Sequence, residues 1–217
     1  MRAVLLALVA AALTPMGSTQ TSPVFKADFS NPGLTPSHWS LTLYPDGSGH
    51  FRADSGVPSA DFKAENDPPL VDRDIRVNAQ FAARVFLTAQ RHNLFSNPCE
   101  SHLKVAFEGW KRLSYSGPDG EGSCEFNYSK DPEIQALGDS VVSVAATIDE
   151  GARLESLLQH DRLGLDKEME YVVEGAGTRR LQQICAIRGI LQRLAEDDSV
   201  LERVRTRARM LLATEGN

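Results

Sequence analysis

Four side chains able to ligate zinc, His92, Cys99, His102 and Cys124, fall within 33 positions and are the strongest claim to chemistry in this sequence. Zinc sites are commonly built from two tight ligand pairs, and here only Cys99-x-x-His102 is tight. In an oxidising compartment the two cysteines would instead form a bridge. The five histidines, His38, His50, His92, His102 and His160, match no catalytic or metal-binding spacing. His160-Asp161 offers an imidazole beside a carboxylate, the pairing a general base needs, but adjacent helical residues do not face one another. A helix end with His near the negative pole of the dipole accounts for the pair. No serine lies in a G-x-S-x-G elbow, so that class of hydrolase has no support. Asp46 and Asp119 sit in two Pro-Asp-Gly turns. Calcium takes about six to eight oxygens from a cluster of acids, so turn formation accounts for both. The reading assigns no catalytic, cofactor-binding or metal-ligating residue.

Arg203, Arg205, Arg207 and Arg209 form a local basic run. On a helix they split into two stripes, 203 with 207 and 205 with 209, flanking an apolar face of Leu201, Val204, Ala208 and Leu211. Such arginines lay their stems along a core edge and keep their heads in water. Contact with an acidic partner or an anionic membrane surface is the sharper alternative.

The compartment follows from the N-terminus. Arg2 precedes an uncharged apolar run over residues 3–13, and small residues follow at Gly17, Ser18 and Thr19. That order is a cleavable export signal over residues 1–20, with cleavage between Gly17 and Thr21. Eleven apolar residues are too few to span a bilayer, which needs about 20. No cysteine follows the run closely and no second apolar stretch of spanning length appears, so the mature chain is expected to carry no lipid and no transmembrane segment, in the periplasm or outside the cell. Loss of Arg2 leaves 22 basic against 29 acidic residues. A net negative chain argues against a nucleic-acid partner, which needs clustered cations. Export also decides between the cysteine readings: Cys99 and Cys124 are expected to pair. Cys185, with Leu181, Ile184 and Arg188 around it, is expected as a buried thiol on the inward face of a helix.

The elements that position these residues change character midway. Up to about residue 128 the apolar period is two, the mark of half-buried strands. Trp39, Leu41 and Leu43, the turn at residues 45–49, then Phe51 and Ala53 predict a hairpin over residues 38–53. Leu113 and Tyr115, the turn Pro118-Asp119-Gly120, then Cys124, Phe126 and Tyr128 predict a second. Leu103, Val105 and Phe107 suggest a further strand, and residues 24–29 a weaker one. Asn78 as N-cap with Phe81, Val85, Phe86 and Ala89 predicts one helix ending near Asn93. Residues 54–72 are a long polar connection. At Asp131-Pro132 the period becomes 3.6, and Ile134, Leu137, Val141, Val144, Ile148, Leu154, Leu157 and Leu158 predict a helix to about Arg162. Gly164 is expected to cap it and Asp166 to start the next helix. One further helix should carry Leu181, Ile184, Ile187, Leu191 and Leu194, and a last one Leu201 to Leu211. The expected class is α+β: a small, mostly antiparallel sheet with one packed helix over residues 21–130, then an all-helical region over residues 131–217.

The segment Asn31-Pro-Gly-Leu-Thr-Pro-Ser-His-Trp-Ser-Leu-Thr-Leu-Tyr-Pro-Asp-Gly-Ser-Gly-His-Phe resembles the opening hairpin of small α+β domains of unknown function in secreted bacterial proteins. In those domains a short helix ending in an aromatic follows, as Phe95 does here, and the resemblance covers residues 24–128. Residues 166–213 look like a HEAT-type helical pair. Neither resemblance brings a catalytic residue or a cofactor. The expected function is that of an exported, soluble, non-enzymatic binding or structural module of the cell envelope, whose partner is another envelope protein. The alternative is a periplasmic hydrolase with its site between the sheet and the long helix, drawing on His92, His102 and aspartates of residues 54–74.

Overall fold

Alternation of buried and solvent-facing residues marks six strands among the described residues up to Phe126. The computed structural model describes residues 22–54 and 71–214. The expected export signal, its cleavage region and most of the polar connection lie outside them. The strands are β1 (Val24–Ser30), β2 (His38–Leu43), β3 (Ser48–Ala53), β4 (Val71–Arg76), β5 (Trp110–Gly117) and β6 (Gly120–Phe126). They form one antiparallel sheet in the order β4-β3-β2-β1-β5-β6. The fold is α+β, as the periodicity implied.

Both hairpins form where the turn signals lie. Between β2 and β3, Asp46 accepts the backbone N–H of Ser48 at 2.9 Å and its hydroxyl at 2.6 Å. Gly47 takes φ +80°, and a Cβ there would stand 2.6 Å from the Val77 carbonyl oxygen, so both backbone and space require glycine. The register sets Phe29 against Trp39 and Leu41 against Phe51, which places one aromatic layer on the inner face. Phe29 and Trp39 stack at 5.2 Å.

Helix α1 (Ala79–Arg91) and helix α2 (Pro132–His160) cover that inner face. The Asn78 side chain accepts from the Phe81 N–H at 2.7 Å, the cap the sequence indicates. Asp131 does the same for α2, accepting from Glu133 and Ile134. From Ile134 to Ala152, α2 packs into the core of the sheet; from Leu154 it packs into a second core. That core is made with α3 (Leu165–Gly177), α4 (Arg188–Glu196) and α5 (Glu202–Thr214).

The helical half departs from expectation at four points. Helix α3 begins directly after Gly164, and Asp166 lies inside its first turn. The Asp161 carboxylate accepts from the Gly164 N–H at 3.3 Å, so Gly164 opens α3 instead of closing α2. Leu181 precedes the helix that was to carry it: Gln183 is left-handed at φ +56°, and residues Ile184–Ile187 form a 3-10 turn ahead of α4. The Thr147 hydroxyl donates to the Gln182 carbonyl at 2.7 Å and the Gln183 side chain accepts from the Asn78 N–H at 2.9 Å, so tertiary bonds hold this segment against its helical period. Cys185 therefore lies half-buried in the 3-10 turn, not on the inward face of a helix. Leu201 is exposed just before α5.

Candidate functional site

Cys99 and Cys124 are bridged, with Cα atoms 5.6 Å apart, tying the chain after α1 to the middle of β6. Bridged sulfurs are not thiolates, so the zinc reading of the four-residue cluster loses two ligands. Among the described residues no group of three or more His, Cys, Asp and Glu side chains is placed to hold a metal ion.

Beside the bridge lies a cleft of about 430 Å³ whose walls include His92, Cys99, Glu100, His102, Ser129 and Asp131. His92 caps the end of α1. Its Nδ1 stands 3.3 Å from Asp131 and its Nε2 2.9 Å from Glu133. Both ring nitrogens thus face carboxylates at the start of α2, and the ring staples the end of one helix to the beginning of the other. His102 is exposed and is held through its backbone, whose N–H donates to Glu100 at 2.9 Å. Glu100 also accepts from the Asn127 N–H at 2.7 Å and from Ser101. Burial, the largest single influence on Glu100, would raise its pKa, but these donors together hold it below the usual carboxylate value. Of the aspartates proposed to join the histidines, Asp61 and Asp67 lie outside the described residues, and Asp54 pairs with His38. Asp72 and Asp74 project from the outer face of β4, where they pair with His50 and Arg52. Hydrogen bonding by Asp74 heads the causes that raise the His50 pKa.

Asn127 is the hub of the next segment. Its side chain donates to the Ala106 carbonyl at 2.9 Å and accepts from the Glu108 N–H at 2.8 Å, and its carbonyl accepts Lys111 Nζ at 2.9 Å. Lys111 is 3% exposed and turns inward over the Phe126 ring. Asn31 adds a bond to the Glu108 carbonyl at 3.0 Å. Residues 101–109 are consequently not the strand their alternation suggests. Neighbouring β5 is already paired on both edges, so the segment's backbone bonds go largely to side chains, with Ser101 N–H donating to the Tyr128 carbonyl and Val105 N–H to the Leu103 carbonyl. Leu103, Val105 and Phe107 are left in solvent on a segment fixed at both ends.

That segment leads into Trp110, the first residue of β5, which is 42% exposed. Phe107 braces the indole edge-on at 6.1 Å. The outer face of the sheet begins there. Trp110, His38, Lys26, Asp28, Arg112 and Glu125 line a cleft of about 310 Å³. Lys26 and Asp28 are 2.7 Å apart, and Arg112 and Glu125 are 3.2 Å apart.

Two further groups lie outside every sequence-level candidate. Asp149 and Glu150 are neighbours on α2 where the two cores meet. Burial pushes the Asp149 carboxyl up to about 7, against the pull of Arg73. Burial, then hydrogen bonding and repulsion by Glu168, push Glu150 up to about 8. Glu168 is itself paired with Arg153 at 2.8 Å. The arginine run is paired within the chain: Arg203 and Arg207 reach Asp166 at 2.6 and 2.7 Å, Arg205 pairs with Asp198 and Glu202, and Arg209 reaches Glu202 at 3.0 Å. It fastens α5 to α3 and to the turn before α5. Among the described residues no helix is long and apolar enough to cross a membrane.

No family model matches the chain, and no curated protein is similar enough to count as a match.

Proposed function

We propose that this chain is an exported protein whose work is binding: a non-enzymatic module of the cell envelope or periplasm that presents Trp110 and the neighbouring segment to a partner. The observation that carries the reading is the half-exposed Trp110, walling a cleft at the point where a rigidly pinned segment delivers Phe107, Val105 and Leu103 to solvent. Exposed aromatic and aliphatic side chains on an ordered backbone are typical of recognition surfaces. Export is supported by the pattern of residues 1–20 and by the Cys99–Cys124 bridge, which suits an oxidising compartment. The test is capture from the envelope fraction on immobilised mature protein. A ligand held by the parent should be released by the double variant Phe107→Ala, Trp110→Ala; equal retention on both would overturn the reading.

A hydrolase with its site between the sheet and the long helix is the second reading, favoured by the position of His92 in a cleft beside carboxylates. Against it stands the engagement of both ring nitrogens by Asp131 and Glu133, which leaves neither open to a bound molecule. If His92 is a staple, His92→Gln lowers thermal stability and alters no activity; a hydrolytic activity lost in this variant at unchanged stability would favour the enzyme.

A further inference from the structure

We infer that the outer face of the sheet, from Trp110 along β5, is a trough for a neutral carbohydrate chain. The inference rests on the binding reading above and gives it a ligand class.

The shape comes from the register. Trp110 stands opposite Ser30, which in turn stands opposite His38, so a small residue separates the indole from the imidazole. One step along, Arg112 lies between Asp28 and Glu125. One step further, Ser114 lies between Lys26 and Ser123. The tall side chains stop there, and Lys26 is shared between the Trp110 cleft and an open depression of about 550 Å³ that reaches Ser116 and Glu121. The two spaces follow β5 for six residue steps, about 20 Å at the rise of a strand. That length suits an extended chain better than a compact small molecule.

The ligand class comes from charge. Lys26 is paired with Asp28, Arg112 with Glu125, and His38 with Asp54 at 3.2 Å. Both fixed cations of the trough, Lys26 and Arg112, have their acids, and Glu121 adds a lone carboxylate at the far end, so the lining offers no surplus cation to hold an anion and no cluster of acids to hold a cation. A guanidinium presents five N–H groups and a carboxylate about four acceptor positions, far more than these single pairs consume. The lining is thus mostly charge-paired and rich in both donors and acceptors, with an apolar plate at one end. A sugar is complementary on every count: its hydroxyls donate and accept at once, and the C–H face of its ring packs on an indole. A nucleic acid or an acidic polysaccharide would meet Asp28, Glu121 and Glu125 without a surplus of cations.

Trp110 also supplies the readout. The other tryptophan, Trp39, is 4% exposed, so quenching by acrylamide reports almost entirely on Trp110. The mature protein would be titrated with cellohexaose, maltohexaose and chitohexaose, following quenching and heat. At least one should bind saturably and shield the indole. Affinity should fall about tenfold or more in Trp110→Ala, as for a central aromatic anchor, and less in Trp110→Phe and Arg112→Ala. Melting temperatures of the variants, with the bridge intact, separate loss of the site from loss of the fold. Failure of all three hexasaccharides to saturate overturns the inference, as does binding that Trp110→Ala leaves unchanged. Preference for polygalacturonate that vanishes in high salt overturns the neutral ligand class. If envelope capture depends on Trp110 and Phe107 while no sugar binds, the carbohydrate inference fails and the binding reading stands. If capture is indifferent to both residues, the binding reading falls as well.

Discussion

Along its first turns α2 rests on rings: Phe25, Phe51, Phe95, Phe126 and Tyr115 are buried in the core it shares with the sheet. Beyond Ala152 the buried core around the same helix is built of aliphatic side chains and methionine, among them Leu165, Met169, Ile190, Leu191 and Leu194. The sheet half has a covalent bridge and an asparagine hub besides its rings, and it carries its polar chemistry on the outer face. The helical half is fastened at its rim by arginine and carboxylate pairs, and its unusual groups lie at the seam. The difference indicates a division of labour. The sheet half is built to hold a surface still, as recognition requires, while the helical half rests on non-directional packing and on charges that respond to the medium.

If α2 couples the halves, a deep cavity in either should bring down both together. Phe51→Ala should cost about 3–5 kcal/mol and Leu191→Ala about 2–5 kcal/mol, since both side chains are fully buried. Both tryptophans lie in the sheet half, so their emission follows that half, while helical circular dichroism is dominated by the other. Coincident transitions in both variants are the expected outcome. A Leu191→Ala protein that loses helix while its tryptophans stay protected would show two independent units. Next in size is the bridge. Cys99→Ser with Cys124→Ser opens a loop of separation 25 and should cost about 3 kcal/mol. Its effect should concentrate on the pinned segment and the clefts beside it, read as faster amide exchange over residues 100–110.

Much of this architecture can be read from the sequence, because local chemistry dictates it. Asn78 accepting from Phe81, and Asp131 accepting from Glu133 and Ile134, set helix starts through bonds spanning two or three residues, and the Pro-Asp-Gly turns set both hairpins. Reading failed where distant groups decide. The alternation of Leu103, Val105 and Phe107 is real, but a strand needs a partner with open hydrogen-bonding groups, and Asn127 takes those bonds instead. The helical period of Leu181 and Ile184 yields to Thr147 and Asn78, which capture the chain through its carbonyl and a glutamine side chain. Of the candidate site, the bridge follows from cysteine count and compartment. Trp110 carries no signal of its own in the sequence, since nothing local reveals that its neighbours across the sheet are a serine and charged side chains. Asp149 and Glu150 escaped notice because acids on a helix are ordinary until another element buries them.

Those two acids give the most delicate means of separating the halves. Asp149 faces Arg73 of β4, and Arg73 is itself held by Glu155 at 2.7 Å. Glu150 faces Glu168 of α3, with Arg153 and Asp149 nearby. Both carboxyls bind a proton more tightly in the folded chain than in the unfolded one, where they titrate near 3.8 and 4.5. Stability from these groups is therefore complete below about pH 4, falls as pH rises through about 7 and 8, and levels off above. Asp149→Asn should remove part of that fall and stabilise the protein at pH 8.5 by on the order of 2 kcal/mol, after allowing for screening at a half-buried position. Glu150→Gln should act in the same direction, because it removes a buried charge and, with it, the repulsion from Glu168, so that part of the gain appears as slower amide exchange in α3. Denaturant titrations from pH 5 to 8.5 provide the measurement. A parent protein and a double variant with parallel stability profiles over that range would show that the seam does not titrate, leaving the two halves to differ in packing alone.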